Sequence, residues 1–227
     1  VTTLTGRAYS RNEKGDILIE PTTGLPIVDE AWSVIGNREP KLRYGLTTSL
    51  SWKGIRLSAM FAGRYKATVV NGTKRTMMTT GTSWESVKLR ESGPVVFKGV
   101  LKDGKENSDK PTPNNIAVDY KIYGASIYGG GDEDWLEKDV NYLRLQELRL
   151  SYKVPNQYLK KVFSGLISNA NIYLCGNDLY TWTNYSGIDA VGNTVSAAAG
   201  GTGGEGYDVW SLPNPRSISF GISLTFN

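Results

Sequence analysis

The sequence has no histidine and one cysteine, Cys175. The first absence removes the commonest general base and metal ligand. The second excludes an internal disulfide, so no disulfide scaffold holds the chain. No run approaches the roughly 18 apolar residues of a transmembrane helix; if the chain meets a bilayer, it does so with strands. A stripe of one charge is also missing. The 26 basic and 22 acidic residues give a formal charge of +4 but are interspersed, and nothing resembles the basic stripe of a nucleic-acid binder. Residue 1 is Val and no charged-then-apolar signal segment follows it, so the sequence is expected to be processed or to start inside a longer protein. Abundant instead are Gly at 26, Tyr at 13 and Trp at 6 in 227 residues, a length for one large all-β domain or two ordinary ones.

The last strand, Arg216 to Phe226, organises the rest. Ile218, Phe220, Ile222, Leu224 and Phe226 alternate with Ser217, Ser219, Gly221, Ser223 and Thr225, a strict period of two. Roughly 9–11 such residues, tilted, cross a bilayer as one stave of a barrel, the apolar row toward lipid and the small polar row toward a wet lumen. A half-buried strand of a soluble β-sandwich has the same alternation with its apolar row turned inward.

Taken in order, residues 1–40 read as a surface excursion of successive turn signals, Glu13-Lys14-Gly15-Asp16, Pro21-Thr22-Thr23-Gly24 and Gly36-Asn37-Arg38-Glu39-Pro40. From Lys41 a hairpin is predicted. Leu42, Tyr44, Leu46, Leu50 and Trp52 share a face, Lys53-Gly54 makes the tight connection, and Ile55, Leu57, Ala59 and Phe61 return, with Arg56, Ser58 and Arg64 opposite. Residues 66–140 form a long span without clear periodicity. Strands return at Asn141–Tyr152, with Leu148, Leu150 and Tyr152 opposite Glu147, Arg149 and Ser151, and at Ala170–Trp182, where Ile172, Leu174, Tyr180 and Trp182 share a face. Between them stand Pro155 and about one helical turn near Tyr158–Phe163. A second long excursion, 184–215, rich in Gly and Ala, leads into the final strand.

The connections therefore alternate short and long, as periplasmic turns and extracellular loops do in outer-membrane barrels. Trp52, Tyr152 and Phe226 stand at strand ends where an interfacial aromatic girdle would put them. Barrel and sandwich differ in where the apolar rows point.

Few constellations carry chemistry. Gly201-Thr202-Gly203-Gly204-Glu205-Gly206 matches GxGxxG in letters, but neither a clear strand precedes it nor a helix follows; it reads as a loop. Asp132-Glu133-Asp134 beside Trp135 has the residue types of a hard-cation site or an acid pair, yet adjacent residues rarely converge on one atom, and a solvated acidic tip is expected. Without histidine no nucleophile–base set is visible, and no enzyme, cofactor or metal is expected. Tyr123, Tyr128, Trp135, Tyr185, Tyr207 and Trp210 lie in or beside the long connections. There a ring stacks on a sugar face or grips a peptide side chain, or else packs its loop onto a neighbour. Asn71-Gly72-Thr73 and Asn184-Tyr185-Ser186 are glycosylation sequons by pattern alone.

Several ordered motifs together carry a resemblance. Asn141-Tyr-Leu-Arg-Leu-Gln-Glu-Leu-Arg-Leu-Ser-Tyr152 with Val154-Pro155, then Gly176-Asn177-Asp178-Leu179-Tyr180-Thr181-Trp182-Thr183 with Tyr185-Ser186-Gly187-Ile188-Asp189, and Pro213-Asn-Pro215-Arg216-Ser-Ile-Ser-Phe220-Gly221 resemble the end of the SusC/RagA-type TonB-dependent outer-membrane transporters. Ile35-Gly36-Asn37 with Pro40, Tyr44-Gly45, Asn71-Gly72-Thr73 and Val100 to Asn107 fit the same layout. Departures are Tyr65-Lys66 where the family often has a Gly pair, Asp178 as an added residue, and Asn227 after Phe226. The resemblance implies an all-β chain contributing the C-terminal strands of a large antiparallel transmembrane barrel, with residues 1–227 as its C-terminal portion. About 22 strands of about 10 residues need about 220 residues for strands alone, so the plug and most staves lie elsewhere. It implies import of large nutrients, glycans or oligopeptides, across a bacterial outer membrane. The implied partners are the N-terminal remainder of the barrel and plug, TonB through that missing part, a SusD-like surface lipoprotein over the mouth, and outer-membrane lipid. Phe220, Ile222, Leu224 and Phe226 would serve barrel assembly. The alternative is a soluble β-sandwich binding carbohydrate through its loop aromatics.

Overall fold

A computed structural model describes residues 3–119, 130–163, 166–190 and 206–226. In chain order its elements are β1 (Thr3–Tyr9), β2 (Leu18–Ile19), β3 (Val28–Asn37), β4 (Leu42–Trp52), β5 (Ile55–Asn71), α1 (Gly72–Thr79), α2 (Trp84–Glu91), β6 (Val100–Leu101), a 3₁₀ turn (Asp132–Trp135), β7 (Leu136–Lys153), α3 (Asn156–Phe163), β8 (Ile167–Thr183), β9 (Tyr207–Asp208) and β10 (Ser217–Phe226). They belong to two compact units, one of residues 1–39, 67–139 and 187–211, the other of 40–66, 140–186 and 212–227.

In the first unit β1 and β3 pair antiparallel, with register shifts at Leu4/Thr5 and Arg7/Tyr9, while β2 pairs β6 and the end of β5 pairs β9, both parallel. Residues 1–40 are therefore not the excursion that their turn signals suggest. The two strands escape pattern reading because β3 opens Val28-Asp29-Glu30 and is exposed on most of both faces, so it has no alternation to display. The helices are capped by side chains, as polar N-cap residues do: Asn71 Oδ1 accepts the Lys74 N–H at 2.9 Å and Ser83 Oγ the Ser86 N–H at 3.0 Å. Leu4, Val70, Met78 and Trp135 form the core, with Ile35, Leu89, Leu136 and Tyr207 against it.

The second unit holds the long strands, in the order β10-β8-β7-β5-β4. The β10–β8, β8–β7 and β5–β4 pairings are antiparallel. Lys53 and Gly54 take positive φ, +46° and +87°, and join Trp52 to Ile55 in the two-residue turn whose twist suits a hairpin. The registers line like with like. Phe220, Leu174 and Leu150 stand abreast on three strands, and so do Ile222, Ile172 and Tyr152; between them run Ser219, Cys175 and Arg149, then Gly221, Tyr173 and Ser151. On the hairpin Leu50 faces Leu57 and Leu46 faces Phe61, alternating with Ser49–Ser58 and Ser51–Arg56. One side of the sheet is thus apolar and the other polar. A small cluster of Leu159, Ile167 and Ala170 seats α3, which extends the single turn expected there to two.

The β7–β8 ladder shifts between Leu145 and Glu147, which face Tyr180 and Asn177, so one residue of β7 opposes two of β8. That is a β-bulge. Asp178, the added residue, lies in it at φ +49°. The shift falls where the apolar residues of β7 change phase, from Leu143 and Leu145 to Leu148, Leu150 and Tyr152. Arg144 holds it from the opposing strand, Nε donating to Thr181 Oγ1 at 3.0 Å and Nη1 lying 3.7 Å from Asp178 Oδ1.

Candidate functional site

The site is built from the two faces of the second unit's sheet. The apolar rows are bare: Ile218, Ile222 and Leu224 are 75, 57 and 45% exposed. A sandwich requires these three against a second sheet, and here they meet none among the described residues. The apolar side has a shallow hollow lined by Ile55, Leu150, Tyr152, Ile172, Leu174 and Phe220. Trp52 and Tyr152, at the short-turn end, and Phe226 are exposed as well.

The polar face carries an open hollow of about 810 Å³, with Arg56, Ser58, Glu147, Arg149, Lys153 and Asn171 in its wall. Arg56 Nη2 donates to Ser49 Oγ at 3.3 Å. The Arg149 guanidinium lies over the Tyr173 ring, 4.0 Å from its centre. These residues were visible in the sequence only as the polar half of each alternation; the ladder registers bring them into one wall.

The loop aromatics divide. Trp135, 7% exposed, belongs to the core, and Tyr185 is buried too. Tyr207 is half-buried, its hydroxyl donating to the Thr5 carbonyl at 3.1 Å. Burial raises its pKa, the Asp132 carboxylate adds to the rise, and Arg38 opposes it. Trp210 is exposed at φ +57°, its backbone N–H anchored on Thr73 Oγ1 at 2.8 Å. Tyr123 and Tyr128 lie outside the described residues, as does the glycine-rich segment up to Glu205.

The acidic triplet is not a solvated tip. Asp132 accepts the Arg7 backbone N–H at 2.8 Å and pairs with Arg75 at 2.7 Å, Glu133 pairs with Arg11 at 2.6 Å, and Asp134 accepts the Tyr9 hydroxyl. The 3₁₀ turn fans the three carboxylates toward β1 and the residues just after it, where the Arg7 backbone N–H, the Tyr9 hydroxyl and the Arg11 guanidinium are the donors. The group is a clasp between segments more than 120 residues apart. Asn71, the first sequon asparagine, is likewise committed: buried, it caps α1 and donates to Glu137 Oε1 at 2.9 Å.

Long antiparallel strands with a bare apolar face and a polar face define the class as all-β, of the kind that builds transmembrane barrels. Among the described residues β4 and β10 are the open edges of the sheet. No family model matches the chain. In sequence it is 28% identical over 224 residues to TonB-dependent receptor P26 of Formosa agariphila and 23% identical over 194 residues to TonB-dependent receptor P3 of the same organism, alignments that cover 98 and 85% of this chain but 20 and 17% of those proteins. In fold it matches the structure of the RagAB peptide transporter (TM-score 0.56, 19% identity) and that of the RagAB peptide importer in the open-open state (0.57, 20%); it is covered to 98 and 99% and covers 22% of each. The resemblance to the SusC/RagA-type TonB-dependent transporters thus stands in both sequence and fold. The chain spans about a fifth of the length of these relatives.

Proposed function

We propose that the chain is the C-terminal part of a TonB-dependent importer of the bacterial outer membrane, forming a piece of its barrel wall. The observation that carries this is the two-faced sheet: rows such as Phe220–Leu174–Leu150 are apolar, in register and bare, and hydrocarbon is the solvent that suits them. The cargo is a large hydrated nutrient, a glycan or an oligopeptide, which the hydroxyl-, amide- and guanidinium-bearing face would line without holding fast. On this reading the plug, the remaining staves and the TonB-contacting segment belong to the rest of the polypeptide. A SusD-like lipoprotein closes the mouth against the long connections, where Trp210 stands exposed. The kinds of protein to which the chain is similar are receptors and transporters, which favours transport over catalysis.

The test is purification from outer membranes in detergent, followed by intact mass and N-terminal sequencing of whatever accompanies the chain. A larger barrel portion, joined or nicked, together with a lipoprotein is expected. A species of 24.9 kDa that stays in solution without detergent overturns the proposal.

A further inference from the structure

We infer that α3 is an interfacial helix that binds an anionic phospholipid by its headgroup, in the leaflet at the short-turn end of the barrel. This rests on the importer reading above and goes past contact with hydrocarbon to a charged headgroup. At that end of the sheet the hairpin closes in two residues, Lys53-Gly54, but residues 154–166 are spent between β7 and β8. The two connections adjoin, the Lys153 N–H donating to the Gly54 carbonyl at 2.8 Å.

The seat of α3 decides which side of the sheet it occupies. Leu159 packs with Val154, Ile167 and Ala170. Ala170 stands opposite Leu224 and Ile167 opposite Phe226, both in the apolar row. Further along that row of β8, Leu174 is 48% exposed, whereas Ala170 is 5%; the helix covers the end of the row. It therefore lies on the hydrocarbon side, away from the polar face that a plug would meet. β7 and β8 are themselves flanked by β5 and β10, so further staves join the sheet at edges away from it.

That seat uses only part of the helix's apolar surface. Tyr158 and Val162, one turn apart, are 56 and 68% exposed, and Leu166, just past the helix, is exposed too. At about 100° per residue, Lys161 falls on one side of this strip and Lys160 on the other, beyond Leu159; both are exposed. From Leu148 to Asn177 there is no Asp or Glu. An apolar strip edged by lysines is how a helix lies in the plane of an interface, its strip at the acyl boundary and its ammonium groups reaching back to the phosphates. Lysines near an anionic surface gain an attraction that a zwitterionic headgroup does not offer. Trp52 and Tyr152 stand exposed at the same end, rings of the kind that sit at headgroup level, and Lys53 Nζ lies 4.9 Å from the centre of the Trp52 ring. The strip continues the bare rows, so its occupant lies at the membrane surface, which favours lipid over a periplasmic protein.

The test uses the full-length receptor that contains this chain, released from outer membranes in detergent. The probes are fluorescently labelled phosphatidylglycerol and phosphatidylcholine, titrated in mixed micelles. Phosphatidylglycerol should bind better, and less so as salt rises through the range that screens surface charge. Lys160→Gln with Lys161→Gln should weaken it by about tenfold and leave phosphatidylcholine nearly unchanged, while Lys160→Arg with Lys161→Arg keeps the preference. Tyr158→Ser with Val162→Ser should weaken both lipids; heat-modifiable mobility checks that each barrel is folded. Equal binding of the two lipids, or no loss in the Gln pair, overturns the inference. So does a photo-crosslinker at position 162 that joins the helix, in cells, to the plug or another protein instead of lipid. A folded barrel that needs detergent but shows no preference sinks only the headgroup inference, whereas a receptor that stays in solution without detergent and binds neither lipid counts against the importer reading as well.

Discussion

Tyr173 lies across Gly221 on the neighbouring strand. The two stand directly opposite in the β10–β8 ladder, and a Cβ on Gly221 would fall 2.7 Å from Tyr173 Cε1 and nearer still to the hydroxyl end. The Arg149 guanidinium covers the same ring, so three strands meet in one stack on the polar face. Glycine inside a strand ordinarily weakens it; here its missing side chain is the space the ring occupies.

Gly221→Ala should therefore destabilise, against the usual trend for alanine in a strand. The ring must swing aside and lose its place under Arg149, a cost of about 1–2 kcal/mol. In a Tyr173→Ala background the same change should cost nothing or gain slightly. Denaturant unfolding of the receptor in both backgrounds gives the coupling directly; equal costs would remove the ring from the explanation.

Leu224→Arg places a cation in the exposed apolar row, beside Ala170. Near the midplane of a bilayer it should cost roughly 2–4 kcal/mol and reduce the heat-modifiable, assembled fraction. Ser223→Arg, one residue away on the polar row, should assemble normally. Equal assembly of the two variants would mean that the rows do not separate lipid from water.

The faces were legible in the sequence because alternation is a local signal, and Lys53-Gly54 was legible because a tight hairpin demands positive φ. What was not legible depends on distant partners. β1 and β3 have weak alternation and exist because they pair with each other; the triplet 132–134 reads as solvated until Tyr9, Arg11 and Arg75 are seen to converge on it. Trp135 and Trp210 look alike as loop aromatics, and only packing around Leu4 and Val70 distinguishes the first. Asp178 reads as a departure in sequence and turns out to sit in a bulge. The polar rows were readable strand by strand; bringing Arg56 and Arg149 into one wall required the registers.

The clasp should respond to pH through Asp134. Burial pushes its carboxyl above the ordinary value of 3.8, the Tyr9 hydroxyl pulls it back, and the Glu133 charge adds to the rise. An acid whose pKa is raised by folding binds its proton more tightly in the folded state. Its contribution is therefore most favourable below 3.8 and is lost as pH climbs through the raised value. Asp134→Asn keeps an acceptor for Tyr9 and removes the titration, so hydrogen exchange of the β1 amides should become less pH-dependent and be no faster at neutral pH. Arg75→Ala, which deprives Asp132 of its cation, should speed that exchange throughout. Faster exchange in the Asn variant at neutral pH would show that the ionised carboxylate is what the clasp needs.

Two tryptophans test the division of the loop aromatics. Trp135→Ala removes a buried ring from the cluster of Leu4, Val70 and Met78, and a cost of about 3–5 kcal/mol is expected, with loss of that unit's protection from proteolysis. Trp210 is 60% exposed and held by its backbone on Thr73, so Trp210→Ala should change stability by no more than about 0.5 kcal/mol. Its effect should appear in transport: slower uptake with normal assembly if the ring meets solute or a lid protein, and unchanged uptake if it only shields the backbone at Val209. Because the first variant should fail by folding and the second, if it fails, by function, measuring proteolysis and uptake on both separates a packing aromatic from a contacting one.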